Sequence, residues 1–222
     1  MDPEAKTPAR PGWLTTLAVL GVVLGSLGIV GGMQVLGQSR ASPAKTEQEF
    51  TKLLERFPGM RAQPKELRDA IKEAVPGMVK VEQRWKKRRV ALASGNILLS
   101  ALLLVGALQS LRLLGSGRWL WLNASLALFP VEILGALMQV LIARDNARVW
   151  VEALVKAGDV PQAAGELAVV GKVMVGVAVG LYGSWGVLLC VYYGITLSRL
   201  NRPETKRLFE AAAIERERSD SE

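Results

Sequence analysis

Four apolar runs, Trp13–Leu36, Val90–Leu114, Trp119–Ala143 and Leu167–Leu197, constrain this chain more than any other feature. A helix needs roughly 20 mostly apolar residues to cross a hydrocarbon core of about 30 Å. Only a helix or a closed barrel satisfies its own backbone polar groups there. From Trp13 to Leu36 no side chain is charged. The predicted class is all-α: a polytopic membrane protein of four transmembrane helices, with a small helical cap on one side. Over 222 residues, half of them hydrophobic, charge is gathered at the joints between apolar blocks. A soluble domain would instead alternate polar and apolar residues along each element.

The runs divide the chain. Residues 1–12 hold three prolines and read as a disordered lead. Residues 13–36 form the first span, 37–89 an amphipathic helical loop of the cap, and 90–114 the second span. Residues 119–143 form the third span, 144–166 a helical connection that also belongs to the cap, 167–197 the fourth span, and 198–222 a charged tail. Lys6 and Arg10 before the first span, with Ala41 and Ala44 after it, imitate a secretory signal. Its apolar length exceeds the roughly 7–15 residues of such a signal, so a retained anchor is expected.

In the long loop, Thr46 and Glu49 fit a capping box, followed by Phe50, Leu53, Leu54 and Phe57 at helical spacing. Pro58-Gly59 ends that helix, Pro64 opens a second with Leu67, Ile71 and Val75 on one face, and Pro76-Gly77 ends it. Val79–Arg89 then runs into the second span. Gly115-Ser116-Gly117-Arg118 predicts a tight hairpin between spans two and three. Past span three, Trp150, Ala153, Leu154 and Ala157 share a face, Gly158 suits a C-terminal cap, and Asp159 and Pro161 suit the next helix start. The tail is expected to be helical near Thr205–Ile214 and frayed beyond. Trp13, Trp85, Trp119 and Trp121 stand at block edges, and Tyr192 and Tyr193 near the exit of the last span, as in an interfacial aromatic belt.

Residues 40–89 and 144–159, the cap side, carry seventeen Lys/Arg against ten Asp/Glu, whereas the opposite face carries ten against eight. By the positive-inside count the cap side is cytoplasmic, although basic density per residue is nearly equal on the two faces. Lys86-Lys87-Arg88-Arg89, directly before span two, is expected to contact anionic lipid headgroups or a partner protein. The cluster has no aromatic interleaving and no nucleic-acid-binding motif, so no nucleic acid is expected.

Within the spans, Gly21, Gly25, Gly28 and Gly32 lie on one helix face, and Gly176, Gly180 and Gly183 form a similar stripe in span four. Small residues let helix backbones approach in lipid. Packing of span one on span four is expected, with a homo-oligomer through the first stripe as the alternative. Glu132 stands near the middle of span three, just after Pro130. A carboxylate at that depth must be protonated, paired or wetted, and Asn96, Ser184 and Lys172 are its candidate partners. Cys190, the single cysteine, cannot form an intrachain disulfide and reads as a small buried hydrophobe.

The chain contains no histidine. That excludes Ser-His and Cys-His nucleophilic pairs and histidine metal ligands. No phosphate-cradling glycine loop, paired carboxylate or zinc spacing stands out, so no enzyme activity, metal or cofactor is expected. A long first loop, a tight basic hairpin, and a last span closing in Tyr192-Tyr193 before Arg202-Pro203-Glu204 give a layout that resembles small four-span bacterial membrane proteins. The resemblance implies a multi-pass place in the bacterial cytoplasmic membrane. The expected role is a scaffold, sensor or assembly subunit binding a partner or anionic lipid through the cap. The alternative is an oligomeric channel or small carrier with Glu132 in its pathway.

Overall fold

The computed structural model of the chain describes residues 10–56, 65–157 and 161–221. Within them lie six helices and no strand: α1 (Gly12–Ser39), α2 (Pro43–Arg56), α3 (Lys65–Leu111), α4 (Gly115–Ala157), α5 (Pro161–Leu200) and α6 (Pro203–Ser221). Four of them hold stretches long and apolar enough to cross a membrane: Gly12–Ser39, Lys72–Leu111, Gly115–Ala153 and Val175–Leu200. The chain is thus an all-α protein of the multi-pass membrane type. The lead at 1–9, the Pro58-Gly59 stop, the opening at Pro64 and the boundary at Gly158–Asp159 lie outside the described residues, as do the side chains of Phe50, Leu53, Leu54, Leu67, Ile71, Leu154 and Ala157.

Several helix ends differ from the sequence expectation. α2 starts three residues before the expected capping box. The Ser42 hydroxyl accepts the Lys45 N–H at 3.3 Å, and Pro43 takes the first helical position, where its missing N–H costs nothing. The Thr46 hydroxyl instead donates to the Ser42 carbonyl at 3.1 Å. Pro76-Gly77 does not end a helix. α3 runs through it, with Pro76 exposed, and a Cβ added to Gly77 would stand 2.5 Å from the Val149 side chain of α4. The glycine is there for helix–helix approach. α6 continues to Ser221, and Phe209 and Ala212 bury its inner face, so the tail is a docked helix rather than a frayed one.

The chain packs as two compact units. The first comprises Met1–Gln34, Leu92–Ile133 and Val187–Glu222, and the second Val35–Ala91 and Leu134–Gly186. In the first unit one core gathers Leu14, Leu17 and Ala18 of α1, Leu103 and Ala107 of α3, Trp121 and Leu128 of α4, Leu189 and Tyr192 of α5, and Phe209 of α6. Residues on the other face of α1, including Val23, Leu27 and Val30, are about half exposed. Large apolar side chains outward and glycines inward invert the pattern of a soluble bundle. This is the arrangement lipid requires.

The glycine stripe of α1 packs on α3, not on the α5 stripe. A Cβ on Gly25 would lie 2.8 Å from the Ser100 carbonyl, one on Gly28 would overlap the Ser100 side chain, and one on Gly32 would overlap Ile97. At Gly176, Gly180 and Gly183 an added Cβ meets nothing within 4 Å among the described residues. The reason is which small face finds a complementary neighbour: Ala93, Ser100 and Ala107 give α3 a shallow surface matching α1.

The hairpin between α3 and α4 turns at Arg112–Leu114, ahead of the expected Gly115–Arg118. The Leu114 N–H bonds the Gln109 carbonyl at 3.1 Å and the Leu113 N–H bonds Ser110 at 3.0 Å, a Schellman ending with Leu113 at φ 53°. Gly115–Arg118 forms the first turn of α4. Gly117 lets α4 close on α3, since its Cβ would stand 2.5 Å from that of Gln109. Gly106 does the same one level deeper, against the Trp121 backbone at 2.6 Å.

Candidate functional site

The second unit holds the basic cluster. Four consecutive basic residues on a helix turn about 100° each, so they cannot share one face. Lys87 and Arg88 are exposed, while Lys86 and Arg89, three positions apart, turn inward and are half-buried. Trp85 anchors this level of α3. Its indole N–H donates to Asp145 of α4 at 3.1 Å, and Arg84 approaches the same carboxylate at 3.9 Å. The Arg88 guanidinium lies over the Trp85 ring, 5.1 Å from its centroid. Trp85 is therefore a cross-helix tie as well as an edge aromatic.

Lys86 and Arg89 line a cleft of about 310 Å³. Its walls are the last turn of α1 with Gln38 and Ser39, the first half of α2 with Thr46 and Glu49, and the α3 residues Val79, Glu82 and Gln83. Arg89 donates from Nη1 to the Glu82 carboxylate, two turns earlier on α3. Its buried Nε–H has no acceptor among the described residues. Together the walls offer two cations and one carboxylate from α3, one carboxylate from α2, and neutral hydrogen-bonding groups from all three helices. The charge cluster was legible in the sequence, but the cleft was not: Gln38, Ser39 and Gln83 carry no signal of their own.

Glu132 lies in the first unit, half-buried on α4 after Pro130, which sits inside the helix. No ion pair or hydrogen bond reaches its carboxylate among the described residues. Asn96 instead accepts from the Ser100 hydroxyl at 3.2 Å, and Ser184 donates to the Gly180 carbonyl at 2.6 Å. Lys172 is exposed on α5 in the second unit and forms no ion pair there among the described residues. Asn96, the expected partner that shares a unit with Glu132, is engaged by Ser100 one turn along its own helix, as short polar side chains on helices commonly are.

The aromatic belt needs a correction. Trp119 is exposed, but Trp121, Tyr192 and Tyr193 are buried within the first unit. Trp121 donates from Nε1 to the Tyr192 hydroxyl at 3.3 Å, and that hydroxyl donates to the Leu17 carbonyl at 3.4 Å. Gly21 makes this possible, since a Cβ there would stand 2.7 Å from the Tyr192 oxygen. Buried indole and phenol groups seek such partners, and here they join three helices. Cys190 is half-buried. At the end of the bundle, Arg118 donates from Nε to the Leu200 carbonyl at 2.9 Å, and Arg199 stands over Trp13 at 5.8 Å.

The chain matches no protein-family model, no curated protein and no solved structure.

Proposed function

We propose that this chain is a non-enzymatic, multi-pass component of a bacterial cytoplasmic membrane, a scaffold or assembly subunit whose basic helical cap engages anionic lipid headgroups. The observation that carries this reading is the outward pair Lys87 and Arg88, exposed at the head of the second apolar run. A basic residue at such a position gains about 1 kcal/mol from an anionic leaflet, and salt screens the gain over a Debye length of about 8 Å. Trp85 holds the pair's helix against α4, so the charges are presented on a braced surface.

The test is reconstitution of the full chain in nanodiscs of mixed anionic and zwitterionic phospholipid. Enrichment of anionic lipid around the protein is read against salt. The expected result is enrichment at low salt that falls as salt rises. Lys87→Gln with Arg88→Gln should weaken it roughly tenfold or more. Equal lipid composition inside and outside the annulus would contradict the reading.

One observation favours a second reading, an oligomeric channel or small carrier with Glu132 in the pathway. A carboxylate within a candidate span, without a partner among the described residues, calls for water, a proton or a second copy. Under that reading Glu132→Gln abolishes ion or proton flux in liposomes. Under the lipid-binding reading it leaves annular enrichment unchanged.

A further inference from the structure

The cleft beside the basic cluster has a chemical character that a general anionic surface does not explain. Its four charged side chains are two cations, Lys86 and Arg89, and two carboxylates, Glu49 and Glu82. A pocket built only to hold an anion would not carry as many acids as bases. Glu82 is already committed to Arg89, whereas Glu49 is exposed and, among the described residues, pairs only with Lys45, at 4.0 Å. Lys86 forms no ion pair among the described residues. The remaining capacity is therefore one ammonium from the protein, one loosely held carboxylate, and the buried Nε–H of Arg89 that lacks an acceptor.

An unmet buried donor is costly, so a ligand that supplies its acceptor gains more than one meeting a wetted group. A phosphodiester has the oxygens to take Lys86 and Arg89 together, and guanidinium is the side chain best matched to it. The Nε–H is covered by protein, so the guanidinium must swing toward the cleft it already lines, with Glu82 as its pivot. A primary ammonium two carbons from that phosphate would complement Glu49. Val35, from the last turn of the first apolar run, forms part of the same wall, which puts the cleft where that run leaves its hydrocarbon-like stretch.

We infer that this cleft is a discrete site for an aminoalkyl phosphodiester, the headgroup of a phosphatidylethanolamine-type lipid: phosphate on Lys86 and Arg89, ammonium on Glu49. The assignment rests on the lipid-binding reading above and adds to it one zwitterionic molecule in one place. The outward pair gathers anionic lipid loosely, and the inward pair with Glu49 retains a single zwitterionic one.

Native mass spectrometry of the full chain in mild detergent tests the assignment by titrating phosphatidylethanolamine, phosphatidylcholine and phosphatidylglycerol separately. The expected result is one retained phosphatidylethanolamine, held about tenfold more tightly than either other lipid. Glu49→Gln should erase that preference, whereas Arg89→Gln should weaken retention of all three lipids, because the phosphate is common to them. Glu49 is exposed, so its variant keeps the fold even if the Arg89 variant does not. Lys87→Gln with Arg88→Gln should leave the single retained lipid in place while annular anionic enrichment falls, which separates this site from the general reading. Water-soluble glycerophosphoethanolamine should compete only at much higher concentration. Equal retention of all three lipids, retention insensitive to Glu49→Gln, or competition by the soluble headgroup at matched concentration would each overturn the assignment.

Discussion

Gly21 is the residue on which the first unit's polar centre turns. Its missing side chain leaves room for the Tyr192 hydroxyl to reach the Leu17 carbonyl while accepting from Trp121. Gly21→Ala would push that hydroxyl away, and Tyr192→Phe would remove it. Either change strands the fully buried indole N–H, and each should lower stability in detergent by about 1–3 kcal/mol. The double variant should cost less than the sum, because both singles break the same bonds. Gly180→Ala is the control. An added methyl there meets nothing within 4 Å among the described residues, so thermal unfolding should be unchanged or slightly later. The periodicity of the α1 glycines was legible in the sequence. Their partner was not, because apolar small-residue surfaces carry no code for which other small surface they meet.

The helices themselves were written plainly, since burial in lipid selects long uniform apolar blocks, but their ends were not. Ser42 replaces Thr46 as the α2 cap, α3 passes through Pro76, and the hairpin turns on a leucine rather than on Gly115 or Gly117. Leu113 shows why composition misleads at such points. Its left-handed backbone costs about 1–2 kcal/mol, but its buried side chain returns about 1.5–3 kcal/mol, so packing overrides the usual glycine. Leu113→Gly should therefore destabilise by about 1 kcal/mol, although it relieves the backbone; a rise in thermal midpoint would refute this balance. In the second unit, α3 and α4 depend on the Gly77–Val149 approach and on the Trp85–Asp145 bond. Asp145→Asn keeps an acceptor for the indole, whereas Asp145→Ala leaves none. The asparagine variant should retain the Trp85 environment and the alanine variant should lose it, as read by fluorescence in a chain whose other tryptophans are replaced by phenylalanine. The Arg84 contribution to either result is small, because that ion pair is mostly exposed.

Across the whole molecule, the multi-pass reading predicts that, if each of the four apolar stretches crosses a membrane once, α2 and the polar end of α4 face one side while the α3–α4 hairpin and α6 face the other. Cys190 is the only cysteine, so a Cys190→Ser background allows single cysteines to report this layout. A cysteine at Gln48 or Lys156 should react with an impermeant reagent from one face only, and one at Ser116 or Ser219 from the opposite face only. The cap's net positive charge was readable from sequence, but which of its cations face outward and which line a cleft depended on the wall that α1 and α2 provide. Beneath these points lies the claim that lipid solvates the outward apolar faces of the helices. Alkaline carbonate extraction of expressing membranes measures it most directly. The protein should stay wholly in the pellet and come free only with detergent; recovery in the aqueous supernatant as a monodisperse species would contradict the account.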